Sequence, residues 1–172
     1  MGVHEPGGPR LTLEKTARVR WAGGLRFEAA TGLGGALTLE ATDDVPGARP
    51  SETMLAALAA CAGADVVSIL GKKRQPVTTY EISVRGLQAD EHPKVFRTID
   101  VLHVVGGDGV DLEAVRRSVE LSATRYCVVT AQLSSGDVVI AHRCRVGDGP
   151  ELEVAETGPQ GRIVVHPHGP ED

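Results

Sequence analysis

Three residues in this chain carry thiols: Cys61, Cys127 and Cys144. A thiol does chemistry as its thiolate, which needs a lowered pKa and hence a cation close by. Cys61 lies among Ala59, Ala60, Ala62, Gly63 and Ala64, which leave room for another backbone or a ligand. It lies too far inside its helix to gain from a helix N-terminus, so its activating cation must come from elsewhere. Arg18, Arg20 and Arg26 are the available donors. Asp65 follows one turn after Cys61, and a carboxylate there disfavours a thiolate. It reads as a structural acid paired with a buried donor, because buried charges persist mainly when paired. Glu52 precedes Cys61 by about two and a half turns. It either orients an arginine through a bidentate pair or simply suits a helix N-terminus.

The other thiols say less by themselves. Cys127 forms no CxxC motif with Cys61, and Tyr126 and Val128 beside it fit core packing equally well. Cys144 sits between Arg143 and Arg145 in an alternating segment that already explains its position. Buried cysteines are commonly inert, so small-hydrophobe packing stays open for all three. The histidines His4, His92, His103, His142, His166 and His168 are scattered, with no HExxH and no Cys/His pair at zinc spacing. No GxGxxG, GxxxxGK[ST] or GxSxG context is present. Hydrolase, kinase and nucleotide-dependent dehydrogenase chemistries therefore find no support.

The element that must position Cys61 is a helix, PSETMLAALAACAGADVVSILGKKR from Pro50 to Arg74. A proline in the first turn loses no needed hydrogen bond, and Lys72, Lys73 and Arg74 suit the negative end of the dipole. Between Met54 and Leu70 only Asp65 and Ser68 are strongly polar. Such a helix must be buried on more than one side. That apolar core is slightly short for a membrane span and contains Asp65, so a span is not expected.

Upstream, residues 15–22 alternate, with Ala17, Val19 and Trp21 on one face and Arg18 and Arg20 on the other. Two glycine turns separate this strand from Leu25–Ala29 and from Ala36–Ala41, making a three-stranded meander. Downstream, Val77–Leu87 and Phe96–Val105 alternate as strands. Asp111 caps a second helix with Leu112, Val115, Val119 and Ala123 along one side. A further helical turn or two runs from Tyr126 to Leu133, and Val138–Val146 is the last expected strand. Residues 1–14 and 148–172 read as flexible tails, although Val164 and Val165 have strand character. The strands cluster rather than alternate with helices. The expected class is α+β, with mostly antiparallel sheet packed on a long buried central helix, in one domain over residues 15–147. A second copy of the chain would cover the rest of that helix.

Composition narrows the function further. At 172 residues the chain suits one domain with tails. A net charge of -5 does not suggest a phosphate-binding surface. Aromatics at 3% argue against stacking platforms for single-stranded nucleic acid. The opening MGVHEPGGPRLTLEK has no apolar signal region. Three cysteines are too few and too odd in number for a secreted disulfide framework, so a cytoplasmic location with reduced thiols is expected.

Taken together, PSETMLAALAACAGADVVSILGKKRQPV, EHPKVF, LSATRYCVV and the opening ARVRWAGGLRF resemble the OsmC/Ohr family of thiol-dependent hydroperoxide reductases. More narrowly, they are similar to its OsmC-like branch typified by the bacterial YhfA proteins. The resemblance runs from about Lys15 to Val146. It implies an intertwined homodimer with two sites at the subunit interface, and two functional cysteines at Cys61 and Cys127. It implies attack by the Cys61 thiolate on the O–O bond of an organic hydroperoxide, a sulfenic acid, and a Cys61–Cys127 disulfide that a dithiol of lipoyl type reduces. An arginine would stabilise the thiolate, Arg26 first and Arg20 second, and Glu52 would orient it. In the family's peroxidase members the residue after the helix-opening proline is Glu, whereas this chain has Ser51 there and Glu52 one place on. That step rotates the side chain by about 100°.

The expected activity is therefore a cofactor-free, cysteine-based peroxidase acting in oxidative-stress defence, without nucleic-acid or membrane partners. The alternative is a non-catalytic or redox-sensing dimer that binds an apolar ligand at its interface.

Overall fold

The computed structural model describes residues 13–159 and 162–167. Contacts divide the chain between Thr53 and Met54 into two compact units, where the sequence suggests a single domain.

The N-terminal unit is an antiparallel sheet of β1 (Ala17–Trp21), β2 (Arg26–Thr31) and β3 (Ala36–Glu40). Gly23 and Gly24 turn the first hairpin at φ of 104° and 54°, a region that costs glycine nothing. Trp21 Nε1 donates to the Gly24 carbonyl at 2.8 Å and fastens the turn. Alternation sorts the sheet's faces. The register sets Val19 opposite Ala29, Trp21 opposite Phe27, and Phe27 opposite Leu39. The other face carries Arg18, Arg20 opposite Glu28, and Arg26 opposite Glu40. Trp21 and Val19 are exposed.

Helix α1 (Pro50–Lys72) opens on its proline as expected and carries the chain into the second unit. It ends with Arg74 at φ 55° and the Gln75 amide donating to the Leu70 carbonyl at 3.0 Å. That is the six-to-one closure of a left-handed helix terminus, made here without glycine. Leu58, Ala62, Val66 and Leu70, one turn apart, form its fully buried row. Gly63 lets α1 approach the sheet closely, because a Cβ there would stand 2.8 Å from Ile82 Cδ1 and 3.3 Å from Tyr80 Cε1. At 23 residues α1 is long and apolar enough to cross a membrane by length and composition, whereas the apolar core Met54–Leu70 alone is slightly short. The packed row accounts for that apolarity on one side.

The second unit's sheet has the order β4-β5-β6-β7-β8: β4 (Thr79–Gln88), β5 (Phe96–Gly106), β6 (Val139–Val146), β7 (Leu152–Gly158) and β8 (Arg162–Val165). All pairs are antiparallel except β5 with β6. A parallel pair needs a long crossover. Helix α2 (Leu112–Leu121), a π-helical turn over Ser122–Tyr126 and α3 (Val128–Ser134) supply it. Asp111 caps α2, accepting from the Glu113 amide at 3.1 Å.

The C-terminal segment departs from expectation. Residues 148–172 read as a tail, yet β7 and β8 extend the sheet, and Val154 and Ala155 are buried in the core. Glutamates at 151, 153 and 156 hide the apolar positions from a periodicity reading, and a bulge opposite His142/Arg143 breaks the alternation. The strand character seen at Val164 and Val165 is β8. Residues 1–12 and His168 lie outside the described residues.

Candidate active site

Cys61 projects from α1 one residue before the buried Ala62, and is itself half-buried. Cys127 follows the π-helical turn, is 2% exposed, and packs with Leu58, Ala62, Ile99, Val101, Val138 and Ile140. Cys61, Leu55 and Val129 border that same apolar cluster. So the fold brings together two thiols that lie far apart in sequence. Cys144 is fully buried on β6 in a separate cluster with Val66, Val105 and Val119.

The environments of the thiols differ. Burial pushes the Cys127 thiol up. Hydrogen bonding from Thr130 opposes that shift, and its Sγ accepts from the Thr130 amide at 3.4 Å as the cap of α3. The nearby Cys61 pushes it in the same direction as burial does. Burial pushes Cys144 up to about 12, so it is a neutral thiol at any ordinary pH.

Asp65 is paired with a buried donor, as its sequence context suggests. Ser122 Oγ, almost wholly buried, donates to Asp65 Oδ2 at 3.0 Å and lies 3.4 Å from the Ala62 carbonyl. The Ser122 carbonyl in turn accepts from the Cys127 amide at 2.9 Å, closing the π-helical turn. Sequence reading did not single out Ser122. A serine between two helices has no local signature, and only the packing of α2 beside α1 gives it a partner.

Arg20, Arg26 and Glu52 belong to the N-terminal unit. Arg26 Nε lies 3.8 Å from Glu28 Oε1, and Arg20 stands opposite Glu28 in register. Among the described residues no ion pair joins Glu52 to either arginine, so the expected bidentate pair is not formed. Nor do three or more His, Cys, Asp or Glu side chains gather as a metal site among the described residues.

A polar row crosses three strands of the sheet. Tyr80 Oη lies 2.7 Å from His103 Nδ1, and His103 Nε2 lies 3.5 Å from His142 Nδ1. The scattered histidines gave no hint of this, because β5 and β6 meet only through the crossover.

A family model described as OsmC-like protein matches residues 41–142, a stretch that contains α1, both clustered thiols and the crossover. The chain belongs to the OsmC-like family. Within that family it is 35% identical over 130 residues to Protein YhfA of Escherichia coli K12, covering 76% of this chain and 96% of YhfA. It is similar in structure to a hypothetical protein of Aquifex aeolicus, with a TM-score of 0.68 and 28% identity, covering 80% of this chain and 100% of that one. The OsmC-like fold also extends to the organic hydroperoxide resistance protein OhrB of Bacillus subtilis. There the TM-score is 0.52 at 17% identity, covering 78% of this chain and 98% of OhrB.

Proposed function

We propose that this OsmC-like protein is a cytoplasmic, cofactor-free organic hydroperoxide reductase that works through Cys61 and Cys127 as a homodimer. The observation that carries the reading is that Cys61, on the apolar helix α1, and Cys127 pack at one apolar cluster. Family membership and the fold shared with a protein named for organic hydroperoxide resistance support it.

Cys61 is the first nucleophile, because it is half-buried while Cys127 and Cys144 are buried with raised pKa values. Its thiolate attacks the terminal peroxide oxygen. The O–O bond breaks, the alcohol leaves with a proton, and Cys61 becomes a sulfenic acid. Cys127 then attacks that sulfur. Its proton and the sulfenic hydroxyl leave as water, and a disulfide remains. An external dithiol, of the lipoyl type the family resemblance implies, returns both thiols. Leu55 and Leu58 beside the pair favour an organic peroxide over hydrogen peroxide. The thiolate needs a cation to lower its pKa, and the family resemblance implies Arg26 first and Arg20 second as its source.

Two unpartnered apolar surfaces support the dimer. Along α1, Met54 and Val67 are 38% and 50% exposed, and the N-terminal sheet leaves Val19 and Trp21 open on its apolar face. Exposed surface of this kind marks an interaction site.

The test is peptide mass spectrometry after treating the reduced protein with one equivalent of an organic hydroperoxide. A Cys61–Cys127 disulfide forming within seconds is expected. A second reading, a redox-sensing or ligand-binding dimer without turnover, is favoured by Ser51 in the family's Glu position and by Glu52 having no arginine pair among the described residues. No oxidation at Cys61, or a sulfenic acid that never reaches Cys127, would move the assignment there.

A further inference from the structure

We infer that Ser122 is the positioning residue that fixes Cys127 against Cys61, and so sets how readily the two thiols form a disulfide. This rests on the two-thiol reading above and assigns the part that tunes it.

Disulfides are demanding in geometry. Their Cα atoms must stand roughly 4.4–6.8 Å apart with Cβ vectors converging. Cys61 is held by α1. Cys127 lies across a gap from α1, at the junction of a π-helical turn and the short α3. Ser122 supplies bonds at both ends of that gap. Its hydroxyl reaches α1 at Asp65, one turn beyond Cys61, and at the carbonyl of Ala62, the very next residue. Its carbonyl holds the Cys127 amide. One side chain and its own peptide thus connect the two thiol-bearing backbones. Ser122 is 1% exposed, so water does not compete for these bonds. The turn itself is unusual. Its i-to-i+5 closure inserts a residue into the helix, a device found frequently at functional sites. An ordinary α-helical continuation would rotate Cys127 by about 100°.

The experiment measures the Cys61–Cys127 dithiol–disulfide equilibrium in glutathione buffers, where oxidised glutathione takes up both electrons and is released as two thiols. Ser122→Ala removes the hydroxyl and keeps the carbonyl. It is expected to shift the equilibrium about tenfold toward the dithiol, which is about 30 mV. Asp65→Ala should do the same, Asp65→Asn should retain most of the wild-type value because an oxygen acceptor remains, and the double alanine variant should add little to either. Sulfenic acid formation at Cys61, followed in a Cys127→Ser background, should not change with Ser122→Ala. Ser118→Ala is the control for a merely structural loss. Ser118 is equally buried, and its hydroxyl donates to the Ala114 carbonyl at 2.7 Å. A Ser122→Ala equilibrium within twofold of wild type, or an equal shift from Ser118→Ala, would overturn the inference while leaving the two-thiol reading intact. A wild-type protein that forms no Cys61–Cys127 disulfide in these buffers would overturn both.

Discussion

Tyr80 Oη and His103 Nδ1 are 2.7 Å apart in the interior of the five-stranded sheet, although one residue is on β4 and the other on β5. They are diagonal neighbours, since Tyr80 pairs with Val105 and His103 with Ile82. His142 extends the row from β6, and its Nε2 is buried without a hydrogen-bond partner among the described residues. Burial, and then the neighbouring His142, hold His103 down at about 3, and burial holds His142 at about 4. Burial likewise raises the Tyr80 hydroxyl far above its ordinary range. All three are neutral at physiological pH.

These histidines predict an acid-sensitive fold. Their ordinary value is 6.5, and the folded values lie below it. As pH falls from about 6.5 toward 3, the unfolded chain takes up protons that the folded chain refuses. Stability contributed by the neutral pair is complete above that window and is lost going down through it, by several kcal/mol in all. Denaturant midpoints measured from pH 7.5 to 4 should fall steeply in wild type and more gently in His142→Phe. Equal slopes in the two proteins would refute the assignment.

The thiols predict a division of labour. Cys61→Ser should abolish hydroperoxide turnover. Cys127→Ser should still form one sulfenic acid at Cys61, trapped by a dimedone-type reagent and read by mass. Full activity in Cys61→Ser would rule the nucleophile assignment out.

Cys144 should be silent. It is 0% exposed and pushed up to about 12. Alkylation of the native protein should label Cys61 first and leave Cys144 unmodified until unfolding. Cys144→Ala should leave turnover unchanged and cost about 1 kcal/mol of stability for the lost packing. Early labelling of Cys144 would show that its cluster opens.

Gly63→Ala is predicted to be destabilising for steric reasons. Alanine would gain about 1 kcal/mol in helix propensity and lose about 1–3 kcal/mol to overpacking against Ile82 and Tyr80. The net change should be destabilising. Ile82→Val should cost less in a Gly63→Ala background than alone, as a double-mutant cycle on chemical denaturation would read. Strict additivity would show that the helix shifts instead.

The C-terminal strands predict a structural role. Ending the chain at Gly149 removes Val154 and Ala155 from the core and exposes β6 as an edge. The loss should be at least about 3 kcal/mol, visible as a lower melting temperature. A truncated protein that melts with wild type would restore the tail reading of residues 148–172.

Much of the fold was legible because periodicity reports local burial. The meander, α1 from its proline, β4, β5 and β6 all follow from which residues alternate and which recur at helical spacing. β7 was not legible. Its buried Val154 and Ala155 are adjacent rather than alternating, since the bulge beside His142 turns both inward. The link from Cys61 to Cys127 came from family resemblance, because separation along a chain does not encode proximity. Glu52 was read either as an arginine's partner or as an acid suited to a helix N-terminus, and the pair that Arg26 makes among the described residues is with Glu28. Propensity says nothing about which of several carboxylates a cation meets.

By itself, then, the sequence determined the elements up to β6, the face each of them must bury, and which three side chains carry thiols. Those properties depend on a residue and its near neighbours along the chain. Only the tertiary structure decided that Cys61 and Cys127 share one apolar cluster while Cys144 is sealed in another, that Tyr80, His103 and His142 line up across three strands, and that Ser122 joins α1 to the Cys127 amide. Each of these depends on strand register and on helices packing through space, and a side chain's burial face alone does not specify which distant residue will share it.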